Sequence, residues 1–188
     1  MLVRHGETDW NVEGRLQGRR DVPLNPRGRD QARSVGRLLA GAVPDLRERP
    51  FLVSPLSRAV ETARLLREAA GLEPDRFTTD ERLAELGFGV WEGSTMREIR
   101  EREPVTTRLR DAARWTHRPP DGESYEDVEE RLSTFFAELD RPSVIVAHGG
   151  VIRAALALFG AGTREALPSL RVRQGRAILL EGAAWRWI

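Results

Sequence analysis

The sequence predicts an α/β fold, built as a three-layer α/β/α sandwich with a mostly parallel central sheet. Two observations carry this prediction. Short apolar segments alternate along the chain with longer segments whose apolar residues recur at helical spacing, which is the pattern of a sheet covered by helices on both faces. The chain has 188 residues, a length that suits one domain with a substantial buried core. We therefore expect a single domain over residues 1–188.

The predicted strands are short and apolar. Residues 1–4 form the first strand, which we expect to be central in the sheet. Residues 51–53 and 143–147 are predicted as further buried strands, and the second of these ends directly before His148. Three closing strands are predicted at 170–172, 177–180 and 185–188, with glycines in the turns that follow the first two.

Helices are predicted between these strands. Apolar residues fall on one face of the segments 29–41, 56–70 and 151–159, and Pro26 to Gly28 mark a loop before the first of them. Another helix begins after Ser124. Ser124 is its expected N-cap, and Asp127, three residues later, completes a capping box.

The segment from about 77 to 120 is less regular, and we expect it to form an irregular cap over the sheet. Two helical stretches, 95–103 and 105–115, are separated in it by Pro104. His117 follows them, ahead of two prolines. We interpret His117 as a solvated loop histidine, with the alternative that its position in the cap lets it contact a substrate.

Composition argues against several classes of partner. The formal net charge is only +1, with 30 basic and 29 acidic residues, so the chain lacks the basic excess of a nucleic-acid binder. No apolar run is long enough to span a membrane. There is no cysteine, which excludes disulfides and thiol nucleophiles and is compatible with a cytoplasmic location. A small-molecule partner fits best, and a homodimer is left open.

Several other chemistries lack their motifs. The three histidines have no metal-binding spacing, so we expect no metal. Gly87-Phe88-Gly89 has Glu92 where a dinucleotide-binding motif requires glycine, and no phosphate-binding Walker loop is present, so we expect no cofactor. Glu126 likewise replaces the second glycine of a serine-hydrolase elbow around Ser124.

The segment Arg4-His5-Gly6 ends the first predicted strand. Gly6 permits a sharp exit from the strand, so His5 can project into a cleft at the sheet edge, where open α/β sheets bind ligands. A neutral imidazole can attack phosphorus, and an adjacent guanidinium can hold phosphoryl oxygens. Taken alone, the segment is equally compatible with a surface turn.

Further motifs follow in a consistent order. They are Arg4-His5-Gly6-Glu7-Thr8, Asn11 with Gly14-Arg15-Leu16-Gln17-Gly18, Ser54-Pro55-Leu56-Ser57-Arg58-Ala59, Glu85-Leu86-Gly87-Phe88-Gly89 with Trp91-Glu92-Gly93, and Ala147-His148-Gly149-Gly150-Val151-Ile152-Arg153. In these motifs the chain resembles the histidine phosphatase superfamily, also called the phosphoglycerate mutase-like family. The resemblance extends from the first residues to about Arg153. It implies a phosphoglycerate mutase-like fold.

The resemblance also implies a set of site residues. His5 is the expected nucleophile, which forms a phosphohistidine while its other ring nitrogen donates to a backbone carbonyl. Arg4, Arg58 and His148 are expected to surround the phosphoryl group. Glu85 matches the acid/base position. Substrate contacts are expected from three further residues, Asn11, Gln17 and Gly149, although capping of a loop is the alternative role for the first two.

Three functions follow from these residues. The first is a phosphatase that acts on small phosphomonoesters, which the sequences of the glycine-rich motifs favour. The alternative is a cofactor-dependent phosphoglycerate mutase, in which the phosphoryl group returns to the substrate. We expect hydrolysis, because little of the chain after residue 159 could shield the intermediate from water. The third function is a phosphate-sensing module. The presence of a nucleophile and an acid argues against it, because binding alone requires neither.

Overall fold

A single six-stranded sheet lies at the centre of the computed structural model, which describes residues 1–188. Its strands are β1 (Leu2–Arg4), β2 (Phe51–Val53), β3 (Thr78–Thr79), β4 (Val144–Ala147), β5 (Ala177–Glu181) and β6 (Ala184–Trp187). The order across the sheet is β3-β2-β4-β1-β5-β6. The first four strands in this order are mutually parallel, whereas β5 and β6 run antiparallel to their neighbours. The predicted mostly parallel sheet is confirmed.

Helices cover both faces of the sheet. The helices are α1 (Asp9–Glu13), α2 (Pro26–Ala42), α3 (Ser57–Ala69), α4 (Met96–Arg102), α5 (Pro104–Ala112), α6 (Tyr125–Ala137) and α7 (Gly149–Leu158). Buried side chains of α2 and α3, including Leu39 and Leu66, form one apolar core with the sheet. Those of α6 and α7, including Leu132 and Ile152, form a second core. Because side chains alternate between the faces of a strand, the short strands supply both cores, and the three-layer prediction is confirmed. None of the helices combines the length and the apolarity that a membrane crossing requires.

The register of the parallel strands brings their carboxyl ends together. Arg4 pairs with Ala147, so His5 and His148 each follow the last paired residue of neighbouring strands. The His5 amide donates to the Ala147 carbonyl at 2.9 Å, and the Ser54 amide after β2 donates to the Val146 carbonyl at 2.9 Å. One sheet edge therefore collects the residues that follow three strands.

The predicted strand at 170–172 is wrong. A short 3-10 helix, Leu167–Ser169, is followed by irregular chain up to β5. The carbonyl of Leu170 accepts from Arg153 Nε at 2.9 Å, and the carbonyl of Val172 accepts from Arg4 Nη1 at 2.9 Å. Side-chain guanidinium groups thus take backbone acceptors that a neighbouring strand would have used.

Several helix starts differ from the prediction, and α7 begins at Gly149, two residues earlier than predicted. Helix α2 begins at Pro26 and not after Gly28, because proline is well suited to a first helical turn and the Asn25 side chain caps the helix through the Gly28 amide. Helix α1 was not predicted, although Thr8 and Asn11 form a capping box at its start. The predicted N-cap at Ser124, with its capping box, is confirmed for α6.

The segment 77–120, which we expected to form an irregular cap, begins with a strand of the sheet. Thr78–Thr79 pair with β2 and belong to the sheet, and two 3-10 turns, Glu81–Leu83 and Gly89–Trp91, follow. Pro104 opens α5 and does not merely separate two helices, since it occupies the first turn. Helices α4 and α5 follow the Gly89–Trp91 turn in the chain and pack against each other.

Candidate active site

His5 is buried at the carboxyl end of β1, with 2% of its surface exposed. Its Nδ1 atom lies 2.6 Å from the Gly6 carbonyl oxygen, which can only accept, so Nδ1 carries the proton and Nε2 keeps its lone pair. This is the backbone contact that the sequence analysis expected. A Cβ atom on Gly6 would lie 2.2 Å from the Gly28 carbonyl oxygen, so only glycine lets the chain pass this close to the Gly28 backbone.

His148 lies beside His5 at the end of β4. The centroids of the two imidazole rings are 5.1 Å apart, with an interplanar angle of 55°. The Nε2 atom of His148 is 2.6 Å from Ser54 Oγ, which follows β2. Its Nδ1 atom is buried without a partner in the protein. The structure therefore brings both predicted histidines to one point.

Half-buried Arg4 and fully buried Arg58 bring two guanidinium groups to the same place. Arg58 is fully buried in the first turn of α3, where its Nη atoms donate to the Gly18 and Arg20 carbonyls, each at 2.7 Å. Arg4 donates through Nη1 to Val172. The Nε atoms of both arginines are buried without a partner in the protein. Each guanidinium is thus oriented by backbone oxygens and keeps a donor free for an anion.

Burial and the arginines control the charge of the histidines. Burial, together with the positive charges of Arg4 and Arg58, lowers the pKa of His5 well below its usual value. The pKa of His148 is lowered well below its usual value by burial, with Arg58 as the largest charge contribution. Burial lowers the pKa of Arg4 to about 10 and lowers that of Arg58, so both arginines stay charged at neutral pH. Two neutral imidazoles therefore lie among fixed positive charges.

Glu85 approaches this group from the segment after the Glu81–Leu83 turn. Its carboxylate accepts from the Gly150 amide at 3.0 Å and from its neighbour Leu86 at 2.9 Å. Gly150 is in the first turn of α7, where free amides favour a negative charge. A Cβ atom on Gly150 would lie 2.5 Å from Glu85 Oε1, so the approach requires glycine. The charge of Glu85 raises the pKa of Arg4 and that of Arg58 against the effect of burial. All five residues predicted as catalytic thus lie together.

Comparisons with known proteins agree with this arrangement. The family model of the histidine phosphatase superfamily (branch 1) matches residues 1–188. The chain belongs to the histidine phosphatase superfamily. Its resemblance to that family, predicted from the motifs, is confirmed, and so is the fold class.

Named relatives within the superfamily are phosphatases. The chain is 37% identical over 172 residues to the 6-phosphofructo-2-kinase/fructose-2,6-bisphosphatase of Gallus gallus, covering 90% of this chain and 34% of that protein. It is 37% identical over 170 residues to the glucosyl-3-phosphoglycerate phosphatase of Mycolicibacterium vanbaalenii, covering 84% and 72%. The solved mycobacterial glucosyl-3-phosphoglycerate phosphatase in complex with VO3 superposes with a TM-score of 0.78 at 33% identity, covering 100% and 94%. The chain therefore spans about a third of the first relative's length.

The three residues predicted to contact substrate have different surroundings in this superfamily member. Asn11 Oδ1 accepts from the Thr8 amide at 3.2 Å and from Gln174 Nε2 at 2.8 Å, so its amide oxygen serves the cap of α1. Gln17 is buried, and its Oε1 has no partner in the protein. A Cβ atom on Gly149 would lie 3.7 Å from Arg4 Nε and 3.3 Å from Arg153 Nη1. Capping is thus observed for Asn11, whereas Gln17 keeps a free polar group.

A cavity of about 180 Å³ adjoins the site of this histidine phosphatase superfamily member. Its walls include Leu86, which follows Glu85, and Arg153, which lies near Gly149. Other polar residues that line it are Arg110, Arg114, His117, Glu123 and Tyr125. Arg153 Nη1 lies 3.4 Å from the Tyr125 hydroxyl, and Arg114 donates to Ser169 Oγ at 2.7 Å. The cavity therefore has a cationic lining.

Sequence reasoning gave no role to most of these cavity residues. Arg153 ends a motif that was recognised, but Arg110 and Arg114 come from the irregular segment, which carries no motif. His117 is half-buried, stacks on Trp91 with ring centroids 5.6 Å apart, and lines the cavity. The interpretation of His117 as a solvated loop histidine is therefore wrong, and its position agrees with the alternative that was considered.

Proposed function

We propose that the chain is a phosphatase that hydrolyses small phosphomonoesters through a phosphohistidine on His5. One observation carries the proposal. A buried neutral imidazole, fixed through Nδ1 so that Nε2 keeps its lone pair, lies beside two arginines whose buried Nε atoms have no partner in the protein. A phosphate dianion supplies the acceptors that these donors lack.

In the proposed first step, His5 Nε2 attacks phosphorus. The Nε2–P bond forms as the ester P–O bond breaks, and protonated Glu85 gives its proton to the departing oxygen. Arg4, Arg58 and His148 stabilise the charge on the phosphoryl oxygens. Because both guanidinium groups are already oriented by backbone carbonyls, little reorganisation accompanies the reaction.

The proposed second step releases phosphate. Glu85, now a carboxylate, takes a proton from water as the water oxygen attacks phosphorus. The Nε2–P bond breaks with its electron pair returning to His5, and inorganic phosphate leaves. Glu85 is protonated again, which restores the starting state. The named relatives are phosphatases, which supports hydrolysis over transfer back to substrate.

We also propose that the leaving group carries a second anion. Arg110, Arg114 and Arg153 line the adjoining cavity, and burial together with Arg114 lowers the pKa of Arg110, as expected for cations held close together. Fructose 2,6-bisphosphate has a second phosphate and glucosyl-3-phosphoglycerate has a carboxylate, and the names of the relatives give these two substrates. Substrates of this kind would match the cavity.

The test is release of inorganic phosphate from a small panel. Fructose 2,6-bisphosphate and glucosyl-3-phosphoglycerate should release it faster than glycerol 3-phosphate, which has no second anion. A His5→Asn variant should release none, since the amide cannot act as the nucleophile. Absence of phosphate from every ester, or unchanged release by the variant, would refute the proposal. The single domain, the cytoplasmic location and the homodimer stay predictions, which limited proteolysis, fractionation and light scattering would test.

A further inference from the structure

Arg131 in α6 contacts the segment that carries Glu85. Its Nη1 donates to the Arg82 carbonyl, and its Nη2 donates to the Ala84 carbonyl at 2.7 Å. The side chain is only 16% exposed. The residue directly before Glu85 is therefore held by a half-buried guanidinium that belongs to helix α6.

Glu123 holds the same segment on its other side. Its Oε2 accepts from the Gly87 amide at 2.9 Å, two residues after Glu85. The carboxylate also pairs with Arg131, with Oε1 3.3 Å from Nε. Arg131 and Glu123 thus form one ion pair. Arg131 also binds the backbone before Glu85, and Glu123 binds the backbone after it.

Glu123 reaches the loop that orients Arg58 as well. Its Oε1 accepts from Arg19 Nη2 at 3.0 Å. Arg58 donates to the carbonyls of Gly18 and Arg20, the two residues that flank Arg19. The pair therefore connects the Glu85 segment to the loop around Arg58.

The charge of Arg131 also interacts with the charge of Glu85. Burial lowers the pKa of Arg131, while Glu123 and, more weakly, Glu85 raise it. Glu85 therefore interacts with the charges of Arg131, of Arg4 on β1 and of Arg58 on α3. Removing one member of this half-buried pair leaves the charge of the other uncompensated, so the two members act together.

We propose that Arg131 and Glu123 are positioning residues that hold the Glu85 carboxyl group where it can protonate the leaving oxygen. This inference rests on the acid/base role proposed for Glu85. Neither residue exchanges a proton in the reaction. Both act through the backbone of residues 82–87, because a displacement of about 1 Å in a reacting group can cost about 100-fold in rate.

The first test compares two leaving groups. An alkoxide from glycerol 3-phosphate needs a proton from Glu85, whereas p-nitrophenolate is stable without one. In the Arg131→Lys variant, kcat/KM should fall by about 100-fold for glycerol 3-phosphate and by less than about threefold for p-nitrophenyl phosphate. Glu123→Gln also loses the contact with Arg19 beside the Arg58 loop, so both esters should lose activity, but glycerol 3-phosphate by at least about tenfold more. Glu130→Gln, at an exposed position on the same helix, should change neither. Equal losses for both esters would mean a merely structural role and would overturn the inference.

A double-mutant cycle tests the route of the effect. Once Glu85→Gln has removed the acid, adding Arg131→Lys should cause no further loss with glycerol 3-phosphate. A full additional loss would contradict the inference. If Glu85→Gln alone leaves the activity unchanged, the proposed acid/base role fails instead, so the two failures are distinguishable.

Hydrogen exchange gives a readout that does not depend on turnover. The Gly150 amide is held by Glu85, so it should exchange faster in Arg131→Lys than in the unaltered protein, while core amides of α6 keep their protection. Unchanged protection at Gly150 would overturn the inference even if no substrate were found.

Discussion

The Nε2 atom of His148 lies 2.6 Å from the Oγ atom of Ser54, and both residues are fully buried. The Leu56 amide also donates to this Oγ, at 3.4 Å, so the hydroxyl hydrogen is free to be donated to Nε2. His148 then carries its own proton on Nδ1, the atom without a partner in the protein. Ser54 thereby fixes the tautomer that can donate to a phosphoryl oxygen.

Replacing Ser54 should therefore weaken catalysis without removing it. A Ser54→Ala change deletes one buried hydrogen bond, worth about 1 kcal/mol, and we expect kcat/KM to fall by about fivefold. Nitrogen-15 NMR of His148 should show loss of the single tautomer. Ser57→Ala, at an exposed position three residues away, is the matched control. A Ser54→Ala enzyme with unchanged kcat/KM would contradict the assigned tautomer.

The covalent intermediate should be trapped on His5. Rapid quenching with labelled substrate is expected to give an adduct that is labile in acid and stable in alkali, because the bond formed is P–N. His5→Asn should form no adduct while keeping its fold, which circular dichroism would verify. Label on any residue other than His5 would identify a different nucleophile.

Acid should destabilise the protein through its buried histidines. His5 and His148 have a pKa well below 6.5 when folded and near 6.5 when unfolded, so the unfolded state binds more protons below that pH. Stability is then fully present above about pH 6.5 and falls as the pH decreases, by up to about 1.4 kcal/mol per pH unit for each histidine. Urea unfolding at pH 7 and pH 5 would measure this.

The same experiment on His5→Asn isolates one contribution. Carboxylates also lose stability in acid, but they do so in both proteins. The difference in unfolding free energy between the unaltered protein and the variant should therefore shrink by about 1 kcal/mol or more from pH 7 to pH 5. A difference that does not change with pH would show that His5 is not held neutral.

We expect the cationic cavity to bind the second anionic group of the substrate. Replacing Arg110 by Ala removes a charged hydrogen-bond donor worth about 1.5–3 kcal/mol, so KM for fructose 2,6-bisphosphate should rise by about 10- to 100-fold. KM for p-nitrophenyl phosphate should not change, because this ester has no second anion. Arg108→Ala, exposed on the same helix, serves as the control. Equal effects on both esters would exclude the proposed contact.

Hydrolase and mutase are separated by the fate of 3-phosphoglycerate. Phosphorus NMR should show inorganic phosphate and no accumulation of 2-phosphoglycerate, even after priming with 2,3-bisphosphoglycerate, because water captures the phosphohistidine. Rapid interconversion of the two monophosphates with negligible free phosphate would establish the mutase alternative.

Local sequence determined the order of most elements and several candidate residues. Helical spacing of apolar residues, the Ser124 capping box and apolar strands ending at His5 and His148 depend on neighbours within a few positions, so the sequence expresses them directly. The same locality explains the errors. The segment 170–172 has the composition of a strand, but its carbonyls accept from Arg4 and Arg153, which are distant in sequence.

The sequence by itself indicated which residues are candidates for the chemistry, through local strand ends and glycine turns and through the motifs in which it resembles the histidine phosphatase superfamily. Only the tertiary structure decided which donors of Arg4, Arg58 and His148 stay free, because their other atoms are taken by distant partners. It also decided that Ser54 contacts a residue 94 positions away and that Arg131 contacts one 47 positions away. Such contacts depend on how whole layers pack, and no periodicity in the chain encodes them.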